Sequence, residues 1–118
     1  MREVLKVFKA LSDETRLRIL YLLLERECCV DEVMRAMRIS QTRASRNLGI
    51  LHDADLLKVR RDGPWVLYSI DEKAVERAYA GLAEVIRNAF KDDKTAFLHQ
   101  ERLKRQCERR TVQTIGAH

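Results

Sequence analysis

The sequence is poor in residues that interrupt or cross-link a chain. Its 118 residues include one proline, four glycines and three cysteines, and aromatic side chains make up 6%. Collagen-like and low-complexity proteins need far more glycine and proline, and an odd, small number of cysteines does not suit a disulfide scaffold. The longest apolar run, Ile19 to Leu24, is far shorter than the roughly 18 residues that cross a bilayer. The N-terminus leads into an amphipathic pattern and not into a secretory h-region. We therefore expect one cytoplasmic domain without a membrane partner.

The basic charge is concentrated in one block of the chain. The net charge is +5 at pH 7, and residues 35–61 carry seven basic side chains against two acidic ones, an excess as large as that of the whole chain. A second basic run follows at residues 102–110. Basic blocks permit a nucleic-acid partner, but most are simply solvated faces. The block is informative only where it coincides with an element that can enter a DNA groove.

Hydrophobic periodicity predicts four helices in the first half of the chain. The first ends near Ser12, which we expect to cap the second. A short third helix is expected over residues 30–37. Ser40 then begins a fourth helix, with Ala44, Leu48 and Leu51 as its buried stripe.

The period changes from 3.6 to 2 after this helix. Residues 57–60 and 65–70 read as strands joined at Asp62-Gly63, a hairpin signal. Asp71 begins a last long helix, whose apolar residues from Val75 to Phe90 follow a heptad-like spacing.

This order of elements predicts a mainly α fold with a small β-hairpin wing, the winged helix-turn-helix. We expect residues 1–97 to form the DNA-binding and dimerisation domain. Residues 98–118 would be a basic, partly disordered extension. The first and last long helices carry more apolar surface than a chain of this size buries alone, which predicts a homodimer formed through them.

Seven side chains are the predicted contacts to double-stranded DNA. Those on the fourth helix lie in its N-terminal half and point away from the buried stripe, and those on the hairpin are expected at its tip. Arginine can reach guanine edges or phosphates, and the polar side chains can hydrogen-bond bases or backbone. The set is Gln41, Thr42, Arg43, Ser45, Arg46, Arg60 and Arg61.

Three segments together resemble the ArsR/SmtB repressors. Residues 10–20, ALSDETRLRIL, are similar to that family's ALADPTRLRIL signature, residues 40–48 to its recognition helix, and residues 62–68 to its wing. The matches keep the family's order and cover about residues 3–90. The resemblance implies a homodimeric winged-helix repressor that leaves its operator when an inducer binds, usually a metal or metalloid ion.

The cysteines predict a thiophilic inducer. Cys28 and Cys29 lie where the arsenite-responsive branch of the family has CVCDLC, so Cys29 keeps the first cysteine and Cys28 is extra. Asp31 and Met34 replace the other two. Thiolates prefer soft ions, and arsenite or antimonite favours three sulfur ligands. We therefore predict that a metalloid ion binds Cys28, Cys29 and Cys107.

Cys107 lies in the basic C-terminal segment and could come from either subunit. We expect Arg105, Arg109 and Arg110 to lower its pKa.

Other interpretations of the cysteines stay open. They could form a redox or persulfide switch in which Cys107 participates, or they could be small buried hydrophobes. If no duplex binds, the chain would be a dimeric protein-interaction module.

Zinc fits less well. The zinc-type site that the resemblance implies on the last helix needs Asp, His and Glu at set spacings, and residues 71–97 contain no histidine. His52, His99 and His118 are expected to be solvated. No catalytic motif and no need for a cofactor is evident, so we do not expect an enzyme.

Overall fold

Along the chain, helices precede and follow a single β-hairpin. The computed structural model describes the backbone of residues 1–116 and the side chains of residues 1–110. In that part of the chain no helix is long and apolar enough to cross a membrane. The elements are α1 (Arg2–Leu11), α2 (Glu14–Glu25), α3 (Val30–Met37), α4 (Gln41–Asp53), β1 (Leu57–Asp62), β2 (Trp65–Ile70), α5 (Glu72–Ala78), α6 (Leu82–Phe90) and α7 (Lys94–Gly116).

Asp13, and not Ser12, caps α2. The Asp13 carboxylate accepts a hydrogen bond from the Arg16 backbone N–H at 3.0 Å, and its backbone is extended. Ser12 instead ends α1, where its hydroxyl lies 3.1 Å from the Lys9 carbonyl oxygen. The prediction was wrong by one residue because Ser12 and Asp13 are adjacent residues that can both cap a helix, and the spacing of the apolar residues does not choose between them.

The helix-turn-helix pair α3 and α4 forms as predicted. Arg38 ends α3 in the left-handed conformation, with φ of 54°. The hydroxyl of Ser40 then accepts from the Arg43 backbone N–H at 3.1 Å and begins α4. The predicted stripe of Ala44, Leu48 and Leu51 is completely buried. This stripe packs α4 into the core and leaves the opposite side of the helix in solvent.

The hairpin pairs β1 with β2 from Leu57↔Ile70 to Asp62↔Trp65. The turn is therefore only Gly63-Pro64, and Gly63 has φ of 58°, which suits glycine. Cys28 extends this sheet, because its backbone N–H and C=O both bond to Tyr68 at 3.0 and 2.8 Å. The residue just before α3 is thereby attached to the hairpin.

The predicted last long helix is two helices. α5 ends at Ala78, and α6 begins after Gly81, which has a left-handed φ of 81°. The Glu76 carboxylate accepts the Gly81 backbone N–H at 2.9 Å. The heptad-like spacing continued through Gly81, but a glycine without a Cβ readily takes a conformation that ends a helix. The predicted seam is therefore interrupted at Tyr79.

The expected domain boundary after residue 97 falls inside α7. The Asp93 carboxylate accepts from the Ala96 backbone N–H at 2.8 Å and begins this helix. Arg18 of α2 donates two hydrogen bonds to the same carboxylate at 3.0 and 3.2 Å, which lowers the pKa of Asp93 to about 2. Residues 98–110 are helical and bury Leu103 against the core, so we find no partly disordered extension there. Residues 117–118 lie outside the described residues.

We expect Leu48→Ala to destabilise the domain by about 2–5 kcal/mol, because it removes a fully buried side chain from the core. Val59→Ala, at an exposed position of β1, is the matched control and should change stability by less than about 1 kcal/mol. Urea unfolding followed by circular dichroism measures both. An equal, small effect of the two substitutions would contradict this packing.

Candidate nucleic-acid interface and thiol site

The solvent side of α4 presents all five of its predicted contact residues. Each is exposed, whereas the neighbouring residues on the other side of the helix are buried. Two of the five are arginines, and the first turn of α4 holds no acidic residue. An exposed, polar and positively charged N-terminal half is suited to phosphates and base edges. The five are Gln41, Thr42, Arg43, Ser45 and Arg46.

Asn47 positions α4 and was missed by the sequence analysis. It is buried, donates from Nδ2 to the Arg43 carbonyl oxygen at 2.9 Å, and accepts at Oδ1 from Arg16 at 3.1 Å. Arg16 also donates to the carbonyl oxygens of Ala10 and Lys9 at 2.7 and 2.9 Å. One guanidinium thus joins α1, α2 and α4. The available signal was an asparagine at a position that the apolar stripe assigns to the core.

The two hairpin arginines have different surroundings. Arg60 and Arg61 lie within β1, opposite Leu67 and Val66, and not in the turn itself. Arg60 forms a two-pronged ion pair with Glu27, through Nε at 3.0 Å and through Nη2. This contact lowers the pKa of Glu27 and raises that of Arg60. Arg61 is exposed, and because successive side chains of a strand alternate, the two arginines leave opposite faces of the hairpin.

Cys28 and Cys107 come together beneath α3. Cys28 is fully buried in the bridge to Tyr68, and Cys107 lies on the face of α7 that packs against α3. The two thiols are close enough that each shifts the pKa of the other, the Cys28 Sγ donates to the Arg26 carbonyl oxygen at 3.4 Å, and neither cysteine is in a disulfide. Residues distant in sequence therefore form one buried dithiol pair.

The two thiols have unequal pKa values. The neighbouring Cys28 thiol, together with Arg110 and Arg26, lowers the pKa of Cys107. The Cys107 thiol and burial raise the pKa of Cys28. A lowered pKa at Cys107 was expected from Arg105, Arg109 and Arg110, and of these three Arg110 is among its causes. The largest cause, the partner thiol, was not foreseen.

Cys29 is turned away from this pair. Its backbone is extended, so its side chain leaves the chain on the side opposite to that of Cys28. It lines a polar cleft of about 190 Å³ that includes Gln106 and Arg110. Among the described residues, no group of three or more His, Cys, Asp or Glu side chains could hold a metal ion. The residues as placed thus supply two sulfur ligands, and the predicted set of three is not assembled.

A buried ion pair lies beside the thiols. Glu32 is 3% exposed, and its carboxylate accepts from the Cys29 backbone N–H at 2.9 Å and from Arg110 Nε at 2.8 Å. Arg110 also lies one helical turn after Cys107 on α7 and lowers the pKa of that thiol. Glu32 is not among the predicted site residues, although a glutamate three residues after an N-cap is a known capping signal.

Neither described histidine belongs to this site. His52 is exposed, as expected, but His99 is buried on α7, contrary to expectation, because that helix packs against the core. Burial, together with Arg18 and Arg102, lowers the pKa of His99. His118 lies outside the described residues.

We expect the thiolate of Cys107 to form with a midpoint below that of an ordinary thiol in a Cys29→Ser variant, and its fraction to increase with pH. Adding Cys28→Ala should move the midpoint upward, towards the ordinary value of about 8.5, because the neighbouring thiol that stabilises the thiolate is removed. Cys28→Ser keeps a donor and is the matched control, with a smaller shift. The ultraviolet absorbance of the thiolate during a pH titration measures all three. An unchanged midpoint in Cys28→Ala would contradict this interaction between the two thiols.

Comparison with known proteins places this architecture in a family. Residues 13–59, which span α2 to β1, match the model of the bacterial regulatory protein, arsR family. The chain is 42% identical over 88 residues to a cadmium resistance transcriptional regulatory protein CadC homolog of Staphylococcus aureus, covering 70% of this chain and 73% of the relative. It is 40% identical over 90 residues to the arsenic resistance transcriptional regulator ArsR1 of Pseudomonas putida, covering 73% and 70%.

A solved structure shows the same fold. The homodimeric winged helix-turn-helix domain Mb0332 of Mycobacterium bovis superimposes with a TM-score of 0.64 at 33% identity, over 74% of this chain and 80% of that one. The fold predicted from the sequence is confirmed. The chain belongs to the ArsR family of bacterial regulatory proteins and is a winged-helix transcriptional repressor of that family.

Proposed function

We propose that this repressor is a homodimer that binds operator DNA through α4 and the hairpin and releases it when a thiophilic inducer reacts at Cys28 and Cys107. The observation that carries the proposal is the pair of buried thiols between the residue just before α3 and helix α7, which packs against α3, the helix before α4. Chemistry at this pair can therefore alter the support of the helix that presents the DNA-contact residues.

Exposed apolar side chains support the homodimer. Val4 and Phe8 of α1 are each about half exposed, at 50% and 54%. They line a groove of about 490 Å³ with Ala74 and Ala78 of α5. Burial of such surface against a second copy is favourable. A two-fold dimer through α1 and the later helices would place two copies of α4 about one DNA turn apart.

The proposed inducer is arsenite or antimonite. Cys28 and Cys107 would supply two of its sulfur ligands. The third ligand would be Cys29, which now lies at the N-cap of α3 and lines the neighbouring cleft. Recruiting it would require the N-terminus of α3 to turn.

A thiol-based redox or persulfide switch is the second candidate, and the direct contact between Cys28 and Cys107 favours it. The Cys107 thiolate attacks one oxygen of hydrogen peroxide, the O–O bond breaks, and hydroxide leaves. Cys107 is then a sulfenic acid. The Cys28 sulfur attacks it, the S–O bond breaks, and water leaves with the Cys28 proton. The two thiols lose two electrons, which the peroxide has taken up. With a polysulfide, one sulfur atom is transferred to Cys107 and the shortened polysulfide leaves.

We expect the double substitution Arg43→Ala/Arg46→Ala to weaken binding to the promoter of the protein's own operon by about tenfold or more for each arginine that contacts a base pair. The slope of log affinity against log salt concentration should also become less steep, by about one unit for each of these arginines that binds a phosphate in the wild type. Arg35→Ala on the neighbouring helix is the matched control. Fluorescence anisotropy at several salt concentrations measures these values. If no duplex binds tightly and the double substitution changes nothing, the chain would be a dimeric protein-interaction module instead.

Cys29→Ser separates the two inducer classes. If arsenite or antimonite uses three sulfurs, all three single Cys→Ser variants should stay on DNA when metalloid is added. If disulfide or persulfide formation is the signal, hydrogen peroxide or sodium tetrasulfide should still release Cys29→Ser but not Cys107→Ser. Operator affinity with and without each reagent is measured. A wild type that none of these reagents releases would show that the proposed trigger is wrong.

A further inference from the structure

Helix α7 contacts α3 near both ends. Near the N-terminus of α3, Arg110 donates from Nε to the buried Glu32 carboxylate at 2.8 Å. Near the C-terminus, Arg102 donates to the Ala36 carbonyl oxygen at 3.2 Å. Since only the turn Arg38–Ser40 separates α3 from α4, a helix that holds α3 at two points also constrains α4.

The contact at Glu32 is highly specific. One carboxylate oxygen accepts from the Cys29 backbone N–H at the start of α3, and the other accepts from Arg110. A buried carboxylate needs such donors, and losing one of them leaves a charge that the interior does not solvate. The position of Arg110 therefore bears directly on the first turn of α3.

Arg110 has a second partner in the thiol site. It lies three residues after Cys107 on the same face of α7, and it lowers the pKa of that thiol, as the neighbouring Cys28 does. Neighbouring groups thus lead from Cys28 through Cys107 and Arg110 to Glu32, which bonds to the N-cap of α3.

We propose that Arg110 and Glu32 are positioning residues that transmit chemistry at the Cys107 sulfur to α3 and so to the DNA-contact helix. This inference rests on the proposed function, because it concerns the regulation of the same thiol pair. When the Cys107 sulfur bonds to another sulfur or to arsenic, it ceases to be an anionic acceptor for Arg110. The guanidinium then shifts relative to the Glu32 carboxylate, and the first turn of α3 moves with Glu32.

The test compares operator affinity before and after thiol modification in the full-length Glu32→Gln variant. Glutamine keeps the shape and an acceptor for the Cys29 N–H, but lacks the charge that holds Arg110. The reagent is the one among arsenite, hydrogen peroxide and sodium tetrasulfide that releases the wild type. Mass spectrometry confirms that the same cysteines are modified. We expect modification to weaken wild-type binding about tenfold or more, within the usual range of coupling between sites, and to weaken Glu32→Gln binding less than about threefold.

Two further variants keep the test decisive. Asp31→Asn removes the exposed ion pair with Arg35 on the same helix and should respond like the wild type. Arg110→Lys keeps the charge but not the planar guanidinium that donates to Glu32. It replaces Glu32→Gln in the test if that variant does not fold. A wild-type response in a folded, fully modified Glu32→Gln or Arg110→Lys variant would overturn the inference alone. A wild type that no reagent releases would overturn the proposed function and the inference together.

Discussion

The packing of α7 against α3 is the contact on which the thiol site depends. Cys28 lies before α3 and Cys107 lies late in α7, so the two sulfurs meet only because the helices pack together. The ion pair of Asp93 with Arg18 holds the first turn of α7 to α2, and Leu103 is buried farther along the helix. A helix that sequence composition presents as a basic extension is therefore part of the domain.

Burial strengthens the contacts between the polar groups of this site. A carboxylate, a guanidinium and two thiols share an interior where electrostatic contacts are strong and unpartnered groups are costly. Glu32 and Arg110 are therefore restricted to a few arrangements. Because a close-packed interior does not deform continuously, the covalent bond proposed at Cys107 would be accommodated by moving an element and not by a small local shift. The element nearest to the thiols is α3.

Local patterns predicted the helices and the hairpin well where packing and backbone agree. Ser40 and the stripe beginning at Ala44 determined α4, and the same period identified its solvent side. The prediction was wrong where spacing and backbone conflict: the apolar series passes through Gly81, whose positive φ ends the regular helix. A hydrophobic period reports which face is buried, but it does not show where the backbone turns.

The thiol site required tertiary information. The sequence does not distinguish Cys28 from its neighbour Cys29. The extended backbone directs their side chains to opposite sides, and Cys28 is the one that lies next to Cys107. The polar groups beside the two sites did leave a local signal. Asn47 and Glu32 each occupy a buried helical position, where a polar side chain is stable only with a partner. In both cases the structure supplies a distant arginine. A polar residue on a predicted core face, as at Asn47, thus indicates a buried network before its partner is known, and here both networks end on the helix-turn-helix.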